Sequence, residues 1–97
     1  MYELRYMPPA RKYFKKLKDK SLINAYSDKL EQISKDPYQG EAKVGDLSGI
    51  YCMDLYLNKT NYEIAYRVIE DGDKVAIIIL AGTRENFYQE LKRYMAT

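Results

Sequence analysis

An α+β domain is expected from this chain: a four-stranded, mainly antiparallel sheet packed against an N-terminal helical hairpin and closed by a C-terminal helix. Three observations carry that expectation. The first third holds two apolar stripes at helical spacing. Residues 50–70 alternate apolar with polar side chains between turn signals, and the run "VAIIIL" at 75–80 passes abruptly into an amphipathic stretch.

Taken in order, residues 2–7 set Tyr2, Leu4 and Tyr6 against Glu3 and Arg5, the period of a strand, and Pro8-Pro9 ends it while suiting the first turn of a helix. Tyr13, Phe14 and Leu17 form the stripe of that helix. A second helix begins near Ser21, carries Leu22, Ile23, Tyr26, Leu30 and Ile33 on one face, and stops at Asp36-Pro37. The two make a hairpin in which Tyr13, Leu17, Leu30 and Ile33 should be buried against the sheet. Past a loop with Gly40, Gly45 and Gly49, residues 50–57, 62–70 and 74–80 read as a meander, joined by Asn58-Lys59-Thr60-Asn61 and by Asp71-Gly72. The run 75–80 lacks alternation and is rich in β-branched residues, as a strand buried on both faces requires. Ala81-Gly82 lets the chain turn, Thr83 stands ready to cap, and Phe87, Tyr88, Leu91, Tyr94 and Met95 recur at helical spacing.

The hairpins imply registers. With Asp71-Gly72 as a two-residue turn, Glu70 pairs with Asp73, Arg67 faces Ala76 and Glu63 faces Leu80. With 58–61 as a four-residue loop, Leu57 pairs with Tyr62, Cys52 with Arg67 and Tyr56 with Glu63. Period two then gathers Cys52, Asp54, Tyr56, Glu63, Ala65 and Arg67 on one face. Tyr51, Met53, Leu55, Leu57, Ile64, Tyr66 and Val68 fall on the other, which covers the hairpin. The polar face is the candidate functional surface.

Composition narrows the function. Ninety-seven residues suit one domain, 1–97, without room for a separate cofactor domain. No apolar run approaches the ~20 residues that span a bilayer, so no membrane association is expected, and no secretory signal is read at Met1. The single Cys52 cannot form an internal disulfide, and the absence of histidine leaves few good zinc ligands. The expected address is the cytoplasm, with no metal and no cofactor. Sixteen basic and fourteen acidic residues leave +2, which does not by itself indicate nucleic acid. Basic residues do crowd 11–20, where a solvated helix face is the favoured reading, and Arg84, Lys92 and Arg93 gather at the other end. Eleven tyrosines without tryptophan could stack on bases, although most are expected in the core or half buried in the sheet.

Three local patterns, "DLSGIY" at 46–51, "NYEIAYRVIEDG" at 61–72 and "LAGTRENFYQELKRY" at 80–94, stand in the order strand, helical hairpin, meander, closing helix. In that order they resemble the RelE/ParE family of bacterial toxins from toxin–antitoxin pairs, over essentially the whole chain. RelE-like members enter the ribosomal decoding site and cut mRNA without a metal, the ribose 2′-hydroxyl attacking the adjacent phosphate while basic side chains stabilise the transition state. ParE-like members inhibit DNA gyrase. The resemblance implies a ribosome-dependent mRNA endonuclease, with the ribosome, mRNA and a cognate antitoxin as partners, the last in a possible hetero-oligomer. Its alternatives are a gyrase inhibitor without nuclease activity and an inactive member acting as an interaction protein.

Carried over residue by residue, the family's phosphate-binding cation after the glycine of the last strand corresponds to Arg84, near the helix N-terminus, and its aromatic near the chain end to Tyr88, with Phe87 a lesser candidate. A surface salt bridge of Arg84 to Glu85 or Asp54 is the competing reading, and core packing is that for Tyr88. Cys52 and Asp54 stand where RelE-like members commonly carry lysines, and Glu63 where they carry an arginine. Arg67, on the face of Glu63, could supply a displaced cation, and Glu63, Asp54 or Glu85 could act as general base. Lys59, Lys92 and Arg93 are candidate RNA contacts or plain surface charge. Cys52 reads as packing rather than nucleophile, with no histidine to activate it.

Overall fold

The protein is described here by a computed structural model covering residues 1–96. Strand β1 (Glu3–Tyr6) leads into α1 (Pro8–Lys16), whose opening prolines occupy positions where no intrahelical N–H is needed. Helix α2 (Lys20–Lys35) starts at Asp19, whose carboxylate accepts from the N–H groups of Ser21 and Leu22 at 2.9 and 3.3 Å, and ends before Pro37. A 3₁₀ turn, Pro37–Gln39, leads to β2 (Glu41–Ala42), and another, Gly45–Leu47, to β3 (Ile50–Leu57). Strands β4 (Thr60–Asp71) and β5 (Asp73–Thr83) follow, then α3 (Phe87–Met95).

The sheet has five strands in the order β1-β5-β4-β3-β2, with β1 parallel to β5 and the other pairs antiparallel. The expected four strands are corrected by β2, which pairs Glu41 with Cys52 and Ala42 with Tyr51. Two residues are too few to show a period, which is why the sequence reads there as loop.

Both faces of the sheet are covered. On one, the helical hairpin buries Leu22, Tyr26 and Ile33 against Met53, Leu55, Ile64, Tyr66, Ala76 and Ile78, with Tyr13, Leu17 and Leu30 partly buried at its margin. Full burial of such side chains contributes roughly 1.5–3 kcal/mol each. Buried hydroxyls are bonded as well: Tyr66 donates to the Pro37 carbonyl at 2.6 Å and Ser34 to that of Tyr2 at 2.7 Å. On the other face, Phe87 and Leu91 of α3 pack on Leu47, Ile50, Cys52, Ala65, Ile79 and Leu80. Val75–Leu80 is therefore the doubly covered strand its composition implies, and only part of the polar face remains open.

Three registers differ from expectation. Asn58 and Lys59, with φ of 51° and 62°, form a two-residue turn that pairs Leu57 with Thr60, so Asp54 faces Glu63 and Cys52 faces Ala65. The two-residue slip keeps every side chain on its expected face. At the next hairpin, Asp71 pairs with Asp73 around Gly72 at φ 86°, and Arg67 faces Ile77. Farther along, Ala65 pairs with Leu80 but Tyr66 with Ile78, leaving Ile79 as a bulge in β5. Ile79 and Leu80 consequently both reach the α3 core, and Glu63 comes to lie opposite Gly82 instead of Leu80. The period of β4 itself is unbroken, so Glu63, Ala65 and Arg67 share a face.

Strand β5 also runs on through Ala81-Gly82 to Thr83, where a turn was expected. The chain reverses over 84–86 instead, with Asn86 in the left-handed region at φ 61°. Helix α3 starts three residues beyond Arg84, no Thr83 cap forms, and Glu85 lies in the turn ahead of the helix.

Candidate active site

The pairing of Asp54 with Glu63 sets two carboxylates side by side on adjacent strands, an arrangement that is unfavourable without a cation between them. Arg84 provides it. Its Nε donates to Glu63 Oε2 at 2.8 Å and a terminal nitrogen donates to Asp54 Oδ2 at 3.2 Å. The hydrogen bond to Glu63, then the nearby charge, raises the guanidinium pKa above its usual value. The backbone holds this geometry too, since the Arg84 N–H donates to the Asn61 carbonyl at 2.9 Å and the Phe87 N–H to the Arg84 carbonyl at 3.1 Å.

Glu63 is only 3% exposed, and a buried carboxylate persists where it is paired and hydrogen-bonded. Its second oxygen accepts from the Tyr88 hydroxyl at 3.2 Å. Burial pushes the Tyr88 phenol up to about 12, so near pH 7 it keeps its proton and acts as a donor. Half-buried in the first turn of α3, the Tyr88 ring meets Phe87 edge to face with 5.5 Å between centroids.

One further cation reaches this cluster. Lys43, just after β2, extends its ammonium over the Tyr88 ring at 4.7 Å from the centroid and pairs with Glu41. Burial works against its charge, but hydrogen bonds to Glu41 and Tyr88 outweigh that and leave its pKa raised. Glu41, Cys52, Asp54, Glu63, Arg84 and Tyr88 line a cleft of about 370 Å³. Burial also lifts the Cys52 thiol to about 11, which keeps it protonated and unreactive and agrees with its place in the core.

Of the residues singled out in the sequence, Arg84, Tyr88 and Glu63 meet here, with Asp54 beside them. Arg67 does not join them. Four residues from Glu63, about 13 Å along the strand, it lies against the turn that ends in Gly49. Lys59 is exposed on the β3–β4 turn, beyond the end of the strands and away from the Asp54–Glu63 pair, and Lys92 and Arg93 are exposed on the last turn of α3. Phe87 is buried in the core beneath α3. Lys43 and Glu41 escaped the sequence reading. Their one signal is the i, i+2 spacing that puts both side chains on the face of Cys52.

Residues 4–92 match the family model of the ParE-like toxin of type II bacterial toxin–antitoxin systems. The chain belongs to this toxin family. Among curated proteins, none matches the toxin significantly. Solved structures share its fold. The toxin is similar to an arginine double mutant of E. coli toxin RelE in the free state, at 24% identity and a TM-score of 0.68 over 95% of this chain and 96% of that one. It is similar to a chain of the intact E. coli RelBE toxin–antitoxin complex, at 24% identity and a TM-score of 0.67 over 84% and 95% of the two chains. The Mycobacterium tuberculosis RelBE2 toxin–antitoxin complex holds a further match, at 23% and 0.66 over 86% and 98%. No helix among the described residues is long and apolar enough to cross a membrane.

Proposed function

We propose that this toxin is a metal-independent endoribonuclease that cuts mRNA on the ribosome, in the cytoplasm, and is neutralised by a cognate antitoxin. The observation that carries the reading is Glu63, a buried carboxylate held between a guanidinium and a phenol. These are the three kinds of group that 2′-hydroxyl attack on a phosphate requires. Glu63 takes the 2′ proton as the bond from O2′ to phosphorus forms. Arg84, with N–H groups beyond the two already engaged, receives the negative charge that grows on the phosphate oxygens. Tyr88 gives its phenolic proton to O5′ as the P–O5′ bond breaks. The proton on Glu63 then passes to the Tyr88 phenolate across the hydrogen bond that joins them, restoring both groups. The products are a 2′,3′-cyclic phosphate and a 5′-hydroxyl.

Dependence on the ribosome rests on the stretch from Gly82-Thr83-Arg84 to Tyr88, which favours the RelE-like branch over the ParE-like one, and the antitoxin partner on family membership together with the antitoxin-bound state of solved neighbours. A gyrase-inhibiting toxin without catalysis is the second reading. It is favoured by the engagement of both nearby cations by carboxylates, Arg84 by Glu63 and Asp54 and Lys43 by Glu41, and by the ParE-like family model. A purified translation reaction with the mRNA mapped for cuts, run beside a gyrase supercoiling assay, separates the two. Cuts with intact supercoiling are expected, and blocked supercoiling without cuts would replace the nuclease by the gyrase reading.

A further inference from the structure

The positions where lysines were expected on β3 hold Cys52 and Asp54, a neutral thiol and a carboxylate. A nuclease site with Arg84 as its one cation would face a dianionic phosphorane with little compensation. Strand β2 changes that. Because Glu41 pairs with Cys52, the side chain two residues on, Lys43, lies on the same face, and the Lys43 N–H donates to the Ile50 carbonyl at 2.9 Å. The stem then runs inward until the ammonium stands over Tyr88. Only 20% of this side chain is exposed, whereas its partner Glu41 keeps 72%. Most of the other lysines are exposed.

Resting on the nuclease reading above, we propose that Lys43 is a catalytic residue of this toxin, a second cationic contact to the scissile phosphate delivered from β2 in place of a lysine on β3. Arg84 and Lys43 flank the Glu63–Tyr88 pair, one bonded to the carboxylate and the other over the phenol ring. Glu41, the salt-bridge partner of Lys43, lines the cleft with Arg84 and Tyr88, so a phosphate that enters there and draws Lys43 off Glu41 has a donor on each side. Lys43 moves no proton in this arrangement. It stabilises charge on a non-bridging oxygen and holds the Tyr88 ring, while Glu41, largely exposed, is displaced by the substrate anion.

The test compares wild type, Lys43→Met, Lys43→Arg and the remote control Lys12→Met for kcat and KM of mRNA cutting on translating ribosomes and for thermal stability. Loss of about 10-fold to 100-fold in kcat is expected for Lys43→Met, with substantial recovery in Lys43→Arg, unchanged melting temperatures and wild-type cutting by Lys12→Met. If wild type cuts and Lys43→Met cuts as fast, the role of Lys43 is overturned and the nuclease reading stands. Equal loss in Lys43→Met and Lys43→Arg, tracking a fall in melting temperature, would make Lys43 a structural staple. If wild type cuts nothing, the nuclease reading falls first and Lys43 loses its role with it.

Discussion

Glu63 is held from both ends, and each contact can be removed separately. Glu63→Gln keeps the shape and the hydrogen bond from Tyr88 but cannot accept the 2′ proton, so cutting should fall about 100-fold or more, measured as single-turnover cleavage on stalled ribosomes. Arg84→Ala should cost about 100-fold or more in cutting with circular dichroism unchanged, since removing one donor of transition-state charge acts on that scale. Tyr88→Phe should resemble Glu63→Gln if the phenol delivers the proton and lose much less if it only positions the phosphate. Arg84 and Tyr88 entered the candidate set through the family resemblance, carried by a cation after the last strand's glycine and an aromatic near the chain end, and the fold brings the two to Glu63. Lys43 was not legible, because its path to Tyr88 depends on a two-residue strand pairing that no periodicity announces.

Turns and bulges are the elements on which the registers were misjudged, and each has a physical cause. Asn58-Lys59 closes β3 and β4 as a two-residue turn although Lys59 must adopt a left-handed φ of 62°, which costs about 1 kcal/mol and is favoured by glycine. No glycine stands in Asn58-Lys59-Thr60-Asn61 to mark a two-residue turn, so the shorter connection left no signal in the sequence. Lys59→Gly should therefore stabilise the protein by about 0.5 kcal/mol in urea unfolding while removing a candidate RNA contact. The bulge at Ile79 was hidden for another reason: in an unbroken apolar run the faces cannot be told apart, so an extra residue leaves no mark on the pattern. By contrast, the helices were plain, since their stripes and stop signals are local. At the joint between β2 and the 3₁₀ turn before it, a Cβ on Gly40 would collide with the Tyr66 hydroxyl and lie 3.1 Å from the Cys52 carbonyl. Gly40→Ala should cost about 1–3 kcal/mol of unfolding free energy by breaking the bond from Tyr66 to Pro37.

For the whole molecule, one sheet carries two cores, and the acidic groups buried between the layers couple stability to alkaline pH. Burial pushes Cys52 from about 9 to about 11 and Tyr66 and Tyr88 to about 12. Raised values mean that the unfolded chain loses these protons first as pH climbs. Stability is thus intact below about pH 8.5 and lost progressively between about pH 9 and 12, with Cys52 contributing about 3 kcal/mol at most. Thermal melts across that range should show the decline, and Cys52→Ala should flatten it between about pH 9 and 11. The order of the helices and long strands and the double cover of Val75–Leu80 could be inferred from patterning, yet the proposed chemistry depends on which polar groups two hairpins bring opposite each other. The most direct measurement is therefore mapping of mRNA ends in a purified translation reaction with wild type and Glu63→Gln toxin in parallel. Cuts ending in 2′,3′-cyclic phosphate, made only on translating ribosomes and nearly absent with Glu63→Gln, are predicted; equal cutting by the two proteins, or no cutting by wild type, would contradict the account.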